Sequence, residues 1–160
     1  MLWQHGISRG RSGEVRVRLS DDERALLRFV AAELRGDLEA DPAAADLHRL
    51  FPPAYPDHDR DEAEYRDLMR GDLLDGRLAA LRTFEETVAN ERLAEEELEV
   101  WMRALNDLRL VLGTRLDVQE ETLAHGLDER DPRAPELALY GYLSWLQEQV
   151  VEAVAGGLSR

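Results

Sequence analysis

The stretch Glu95-Glu96-Glu97-Leu98-Glu99-Val100-Trp101-Met102-Arg103-Ala104-Leu105-Asn106-Asp107-Leu108-Arg109-Leu110-Val111-Leu112-Gly113-Thr114-Arg115-Leu116 decides how this chain folds. Leu98, Trp101, Leu105, Leu108 and Leu112 recur at intervals of three and four. They therefore share one face of an α-helix and have the seam spacing of a bundle helix. Such a stripe demands apolar faces from neighbouring elements. The helix start is weaker: its N-cap falls on Ala94, where Ser or Asp would add about 1 kcal/mol.

Working outward, residues 117–134 read as an acidic loop with one turn near Glu121 to Ala124, and residues 135–154 as a last helix. That helix carries Leu139, Leu143, Leu146, Val150 and Val154 on one face, with Tyr140 and Trp145 off it, and Gly156-Gly157 as its stop. Upstream, a helix over 72–90 carries Leu74, Leu78, Leu81, Phe84 and Val88. Gly71-Asp72 predicts a break between it and a short acidic helix over 57–70 bearing Tyr65, Leu68 and Met69. Phe51-Pro52-Pro53-Ala54-Tyr55-Pro56 predicts an extended connector, because residues before proline leave the helical region. Asp41-Pro42 predicts an N-cap and first turn for a short helix through Leu47 and Leu50. Ser20 and Glu23 form a capping box before Leu26, Leu27, Val30, Leu34 and Leu38, a pattern that Gly36 weakens near its end. Glu14-Val15-Arg16-Val17-Arg18-Leu19 alternates charged and apolar, as a half-buried strand does. With the turn Arg9 to Gly13 and the apolar Leu2, Trp3 and Ile7, it makes a hairpin that must pack through Val15, Val17 and Leu19. The expectation is a mainly α fold: an irregular bundle of about five to six helices with a small N-terminal β-hairpin. It forms a single domain over 1–160, with 1–19 as the hairpin arm and 20–155 as the bundle.

Composition agrees. A chain of 160 residues, 44% hydrophobic and 34% charged, buries roughly 70% of its unfolded surface. It has no cysteine, which removes disulfides, thiolate metal sites, thiol nucleophiles and thiol redox switches from its repertoire. No stretch approaches a membrane span of about 20 apolar residues, and the arginines near the start precede no apolar leader segment. Net charge is −14, and the chain has no lysine, so every Lys/Arg position is arginine. An acidic body repels phosphate backbones and anionic membranes. Yet Arg9, Arg11, Arg16 and Arg18 stand against Glu14 alone in the first twenty residues, a basic arm on an acidic body.

Known catalytic patterns are missing. Without lysine there is no P-loop, and no glycine fingerprint or nucleophile elbow is present; Ser144 lies mid-helix. Asp57-His58-Asp59-Arg60-Asp61 begins like a calcium loop, but the sixth and twelfth positions are Glu62 and Leu68 instead of Gly and Glu. It reads as acid at a helix start. Glu121 and His125 could share a helical face, but no second pair completes a metal site. No cofactor is expected. Glu95, Glu96 and Glu97 read either as a solvated helix start or as a docking face for a basic partner. Asn106, Asp107 and Arg109 interrupt the most apolar helix, with Arg115 past Gly113. They predict either a buried network, to Tyr142 or Gln147, that fixes the bundle register, or an anion or peptide pocket.

Three segments carry a resemblance: Leu50 to Pro56, Trp101 to Arg115, and Tyr142 to Glu148. By these, the chain resembles the actinobacterial domain-of-unknown-function family twenty-seventeen, from the strand before Ser20 to the last helix. The resemblance implies a cytoplasmic protein with no known catalytic activity or cofactor, often encoded beside the adaptor of the Clp protease. It implies a role in the transcriptional response to oxidative stress through contact with the transcription machinery. A redox-sensing version needs cysteines, which this chain lacks.

The lead expectation is a non-enzymatic regulatory or adaptor protein acting through protein–protein contact, with Arg9, Arg11, Arg16, Arg18 and Glu95, Glu96, Glu97 as contact surfaces. Transcription machinery and the Clp system are the family-level partners. The rivals are a DNA-binding regulator using the basic hairpin, which the acidic body opposes, and a small-molecule or anion-binding bundle centred on Asn106, Asp107, Arg109 and Arg115. A homodimer burying Trp3, Trp101 or Trp145 is a further possibility.

Overall fold

A computed structural model describes residues 5–51, 60–119 and 128–159. The capping box is present: the Glu23 amide donates to Ser20 Oγ at 3.1 Å, and the Ser20 amide to Glu23 Oε2 at 2.7 Å. It opens helix α1, Asp21–Ala40, which buries Leu27, Ala31, Leu34 and Leu38. Leu26, expected on that stripe, is 41% exposed. The Asp41 carboxylate accepts from the Ala43 amide at 3.2 Å, and a 3-10 turn follows at Ala45–Leu50 that buries Leu47 and Leu50. Helices α2, Arg60–Thr87, α3, Glu95–Arg115, and α4, Ala134–Leu158, complete the bundle.

The hairpin is strand β1, Gly6–Arg9, paired antiparallel with β2, Val15–Arg18. Gly13, at φ +93°, makes the turn. A third strand, β3, Arg92–Leu93, adds to β2, with Val15 opposite Leu93 and Arg16 opposite Arg92. Two residues are too few to alternate, so the sequence pattern hid it. Val15, Val17 and Leu19 are buried as the hairpin reading requires, and β1 lies on α4.

Helix α3 is central, touching the other three helices, the 3-10 turn and β3. Trp101 is completely buried, tilted against Phe84 with ring centroids 4.7 Å apart. Its indole N–H donates to Thr87 Oγ1 at 2.7 Å, and Thr87 passes its own proton to the Thr83 carbonyl at 2.8 Å. An indole inside an apolar core needs such a partner. Trp101 is thus an internal anchor and is not available to a homodimer.

Two breaks expected from glycine do not occur. Helix α2 runs through Gly71 and Gly76, because glycine lowers helix propensity by about 1 kcal/mol without removing the amide donor, as proline does. Helix α4 runs through Gly156-Gly157 to Leu158. Those glycines make room: a Cβ on Gly157 would lie 2.6 Å from Arg9 Nη2. Leu2, Trp3, the connector beyond Phe51, the start of the calcium-like segment and the Glu121/His125 pair lie outside the described residues.

Candidate partner surface

The four hairpin arginines divide by strand parity. Arg9 turns inward, its side chain 9% exposed. Its Nε and Nη2 donate to the Ala153 carbonyl at 3.0 and 2.8 Å, and Nη1 to the Gly13 carbonyl at 2.7 Å. The guanidinium also forks onto Glu95, with Nη2 to Oε2 at 2.9 Å and Nη1 to Oε1. That bonding holds the Glu95 carboxyl below its usual range. One side chain therefore joins the hairpin turn, the last turns of α4 and the start of α3. Arg11 is exposed at the turn. Arg16 and Arg18 lie on the opposite face of β2 from Val15 and Val17 and are half-buried.

The acidic start of α3 is partly engaged as well. Glu95 is held by Arg9, and Glu97 Oε1 accepts from the Ala94 amide at 2.8 Å. That bond satisfies the Ala94 amide and explains one glutamate of the run, while Ala94 offers no side-chain acceptor to the first-turn amides. Glu96 and Glu99 are exposed.

Asn106 and Asp107 line one pocket of about 450 Å³ between α2 and α3, together with Arg77 and Arg103, whereas Arg109 and Arg115 lie elsewhere. Successive helix positions turn by about 100°, so Asp107, Arg109 and Arg115 meet different partners. Asn106 is exposed. Asp107 is buried and paired to Arg77 Nη1 of α2 at 2.5 Å. Burial pushes its carboxyl up, and the guanidinium only partly opposes this. Arg109 Nε donates to Ser144 Oγ of α4 at 3.0 Å and lies over the Tyr140 ring. Arg115 reaches Asp46 and Asp37 at 2.6 and 2.8 Å. Asp107, Arg109 and Arg115 fasten α2, α4, α1 and the 3-10 turn to α3. The register contact to α4 is made by Arg109 and Ser144; Tyr142 and Gln147 do not supply it. Tyr142 faces Glu23, and burial followed by that carboxylate raises its phenol above the ordinary range.

Two surfaces escaped sequence reasoning. A groove of about 540 Å³ crosses the outer face of the sheet, lined by His5, Arg16, Arg18, Arg24, Glu91 and Arg92. His5 stacks on Trp145, centroids 5.3 Å apart, and meets Glu23 Oε2 at 2.8 Å. Burial pushes the Glu23 carboxyl up, but the bonds from His5 and Ser20 outweigh it and hold it below its usual value. The Arg16 and Arg18 alternation was a signal for this face; Arg92 and Arg24 come from distant sequence. The second surface is an apolar cleft of about 350 Å³ between α1, α3 and α4. Leu34, Leu108, Val111 and Leu143 line it, with Phe29, Leu26, Glu33, Glu136 and Arg115, the last paired to Asp37 and Asp46. Phe29 is 59% exposed. Among the described residues no three His, Asp or Glu side chains form a metal-ligand group, and no helix is long and apolar enough to cross a membrane.

Fold and surface define a class: a small acidic bundle in which α3's polar side chains tie helices together while its outward faces carry a basic groove and an apolar cleft. Within that class the assignment is definite. The chain belongs to the family described as Domain of unknown function (DUF2017), whose pattern matches residues 4–154. It is similar to the Oxidative stress regulator AosR of Mycobacterium bovis, 28% identical over 72% of this chain and 60% of the relative. The protein of the same name from Mycobacterium tuberculosis matches with the same identity and coverage. The match thus spans three-fifths of those relatives' length. No solved structure matches.

Proposed function

We propose that this protein is a non-enzymatic, cytoplasmic regulator in an oxidative-stress response, acting by contact with a protein partner. The name of its mycobacterial relatives supports the regulatory part. Lacking cysteine, this chain would serve as a contact element, with oxidant sensing done by another molecule. The observation that carries the contact reading is Phe29, 59% exposed at the edge of the cleft between α1, α3 and α4. An aromatic side chain left in water beside an apolar cleft marks an interaction site.

The occupant is a basic amphipathic segment of the partner. Its apolar side chains would enter the cleft, and its cations would face Glu33 and Glu136 at the border. The −14 body steers such a partner by its field. Affinity purification from the native host after light crosslinking, with wild type and Phe29→Ala in parallel, tests this. A stoichiometric partner held by wild type and depleted about tenfold with Phe29→Ala is expected, in line with a central aromatic anchor. A partner retained equally by both moves the contact elsewhere. Recovery of the protein alone contradicts the contact reading.

A further inference from the structure

The groove across the outer face of the sheet lies on a different surface from the cleft. Four arginines line it against one glutamate, on a chain whose net charge is −14. Arg16 of β2 stands directly opposite Arg92 of β3, a like-charge cross-strand pair that destabilises a bare sheet. Arg16 meets Glu14 Oε1 at 3.2 Å, but its Nε is buried and has no hydrogen-bond partner among the described residues. Arg24 donates to the carbonyls of Leu19, Val88, Asn90 and Val17. These bonds take four of its five N–H donors and fix the guanidinium in place, with no carboxylate bonded to it among the described residues. Arg16, Arg24 and Arg92 thus line one groove.

We infer that the groove formed by Arg16, Arg24 and Arg92 binds a compact phosphoryl anion. A phosphoryl group offers several acceptor oxygens and two negative charges, which suits several guanidinium groups lining one groove better than a single carboxylate does. The volume, about 540 Å³, falls in the range of small-ligand sites and exceeds what one phosphate fills, so the fitting ligand is a diphosphate or a phosphorylated small molecule. Long polyanions fit poorly, because Glu14 and Glu91 flank the arginines and the acidic first turn of α3 follows.

Calorimetric titration with pyrophosphate, adenosine diphosphate and a 20-base-pair duplex tests this on the full chain. Wild type should bind pyrophosphate, and Arg16→Gln with Arg92→Gln should weaken it about tenfold or more, the loss expected for charge-assisted bonds. The variant should melt no lower than wild type without ligand, because the substitution relieves the opposed charges, and thermal melts verify that it folds. Equal binding of pyrophosphate and adenosine diphosphate means the phosphoryl group alone is read; tighter binding of the nucleotide means a nucleoside is seated too, and both support the site. Absence of pyrophosphate binding, binding untouched by the double substitution, or a preference for duplex DNA each overturns it.

Discussion

Helix α3 and the outer face of the sheet both set charged residues into an apolar frame, with opposite results. On α3, Glu95 meets Arg9, Glu97 caps Ala94, Asp107 meets Arg77, Arg109 meets Ser144, and Arg115 meets Asp37 and Asp46. Across the sheet, Arg16 faces Arg92, and one buried N–H of Arg16 goes unanswered among the described residues. The first pattern is architecture, since each group's partner lies in the chain. The second sets like charges opposite each other, with Glu14 the carboxylate that meets Arg16 among the described residues. Polar side chains therefore report function by where their partners are, and their number in a motif says little.

The largest break in the comparison comes at Asp107. Asp107→Ala leaves Arg77 unpaired at 23% side-chain exposure, and should cost about 2–4 kcal/mol, read in urea unfolding at neutral pH. Asp107→Asn keeps an acceptor and sharpens the picture through pH. The folded carboxyl titrates above its usual value, so in the window between the unfolded and folded values the native state binds more protons. Wild type therefore gains on Asp107→Asn as pH falls through that window. Glu23 and Glu95 act oppositely, because their lowered values make the stability they supply disappear on acidification. Wild type losing ground to Asp107→Asn on acidification would mean that Arg77 outweighs burial. The smallest effect is a gain. Gly71 lies within α2 with nothing within 4 Å of a built Cβ, so Gly71→Ala should stabilise by about 0.5–1 kcal/mol, a small rise in melting temperature.

Much of this was legible in the sequence. The seam from Leu98 to Leu108 is buried, Ser20 and Glu23 cap α1, and Val15 and Val17 face the core. Each rests on a local period or a local bond, which sequence spacing encodes. What was hidden depends on pairings distant in sequence. Arg9 looked like part of a basic arm because its acceptors lie on Glu95 and Ala153. Arg92 gains its meaning only from β3, which sets it against Arg16. Asn106, Asp107, Arg109 and Arg115 looked like one cluster because they are near in sequence, whereas the helical turn keeps only Asn106 and Asp107 at one pocket and sends Arg109 and Arg115 to other partners. Gly71 and Gly156 looked like breaks because propensity is only a weak preference that packing overrides.

The central claim is that arginines of one small sheet serve opposite ends, and thermal unfolding of Arg9→Gln beside Arg92→Gln tests it most directly. Arg9→Gln removes the guanidinium fork that holds Glu95 and Ala153 and should lower the melting temperature by roughly 5–10 °C, as expected for a loss of about 2–3 kcal/mol in a chain of this size. Arg92→Gln should leave the melting temperature unchanged or raise it. Equal losses in the two variants would contradict the division between structural and unanswered charge.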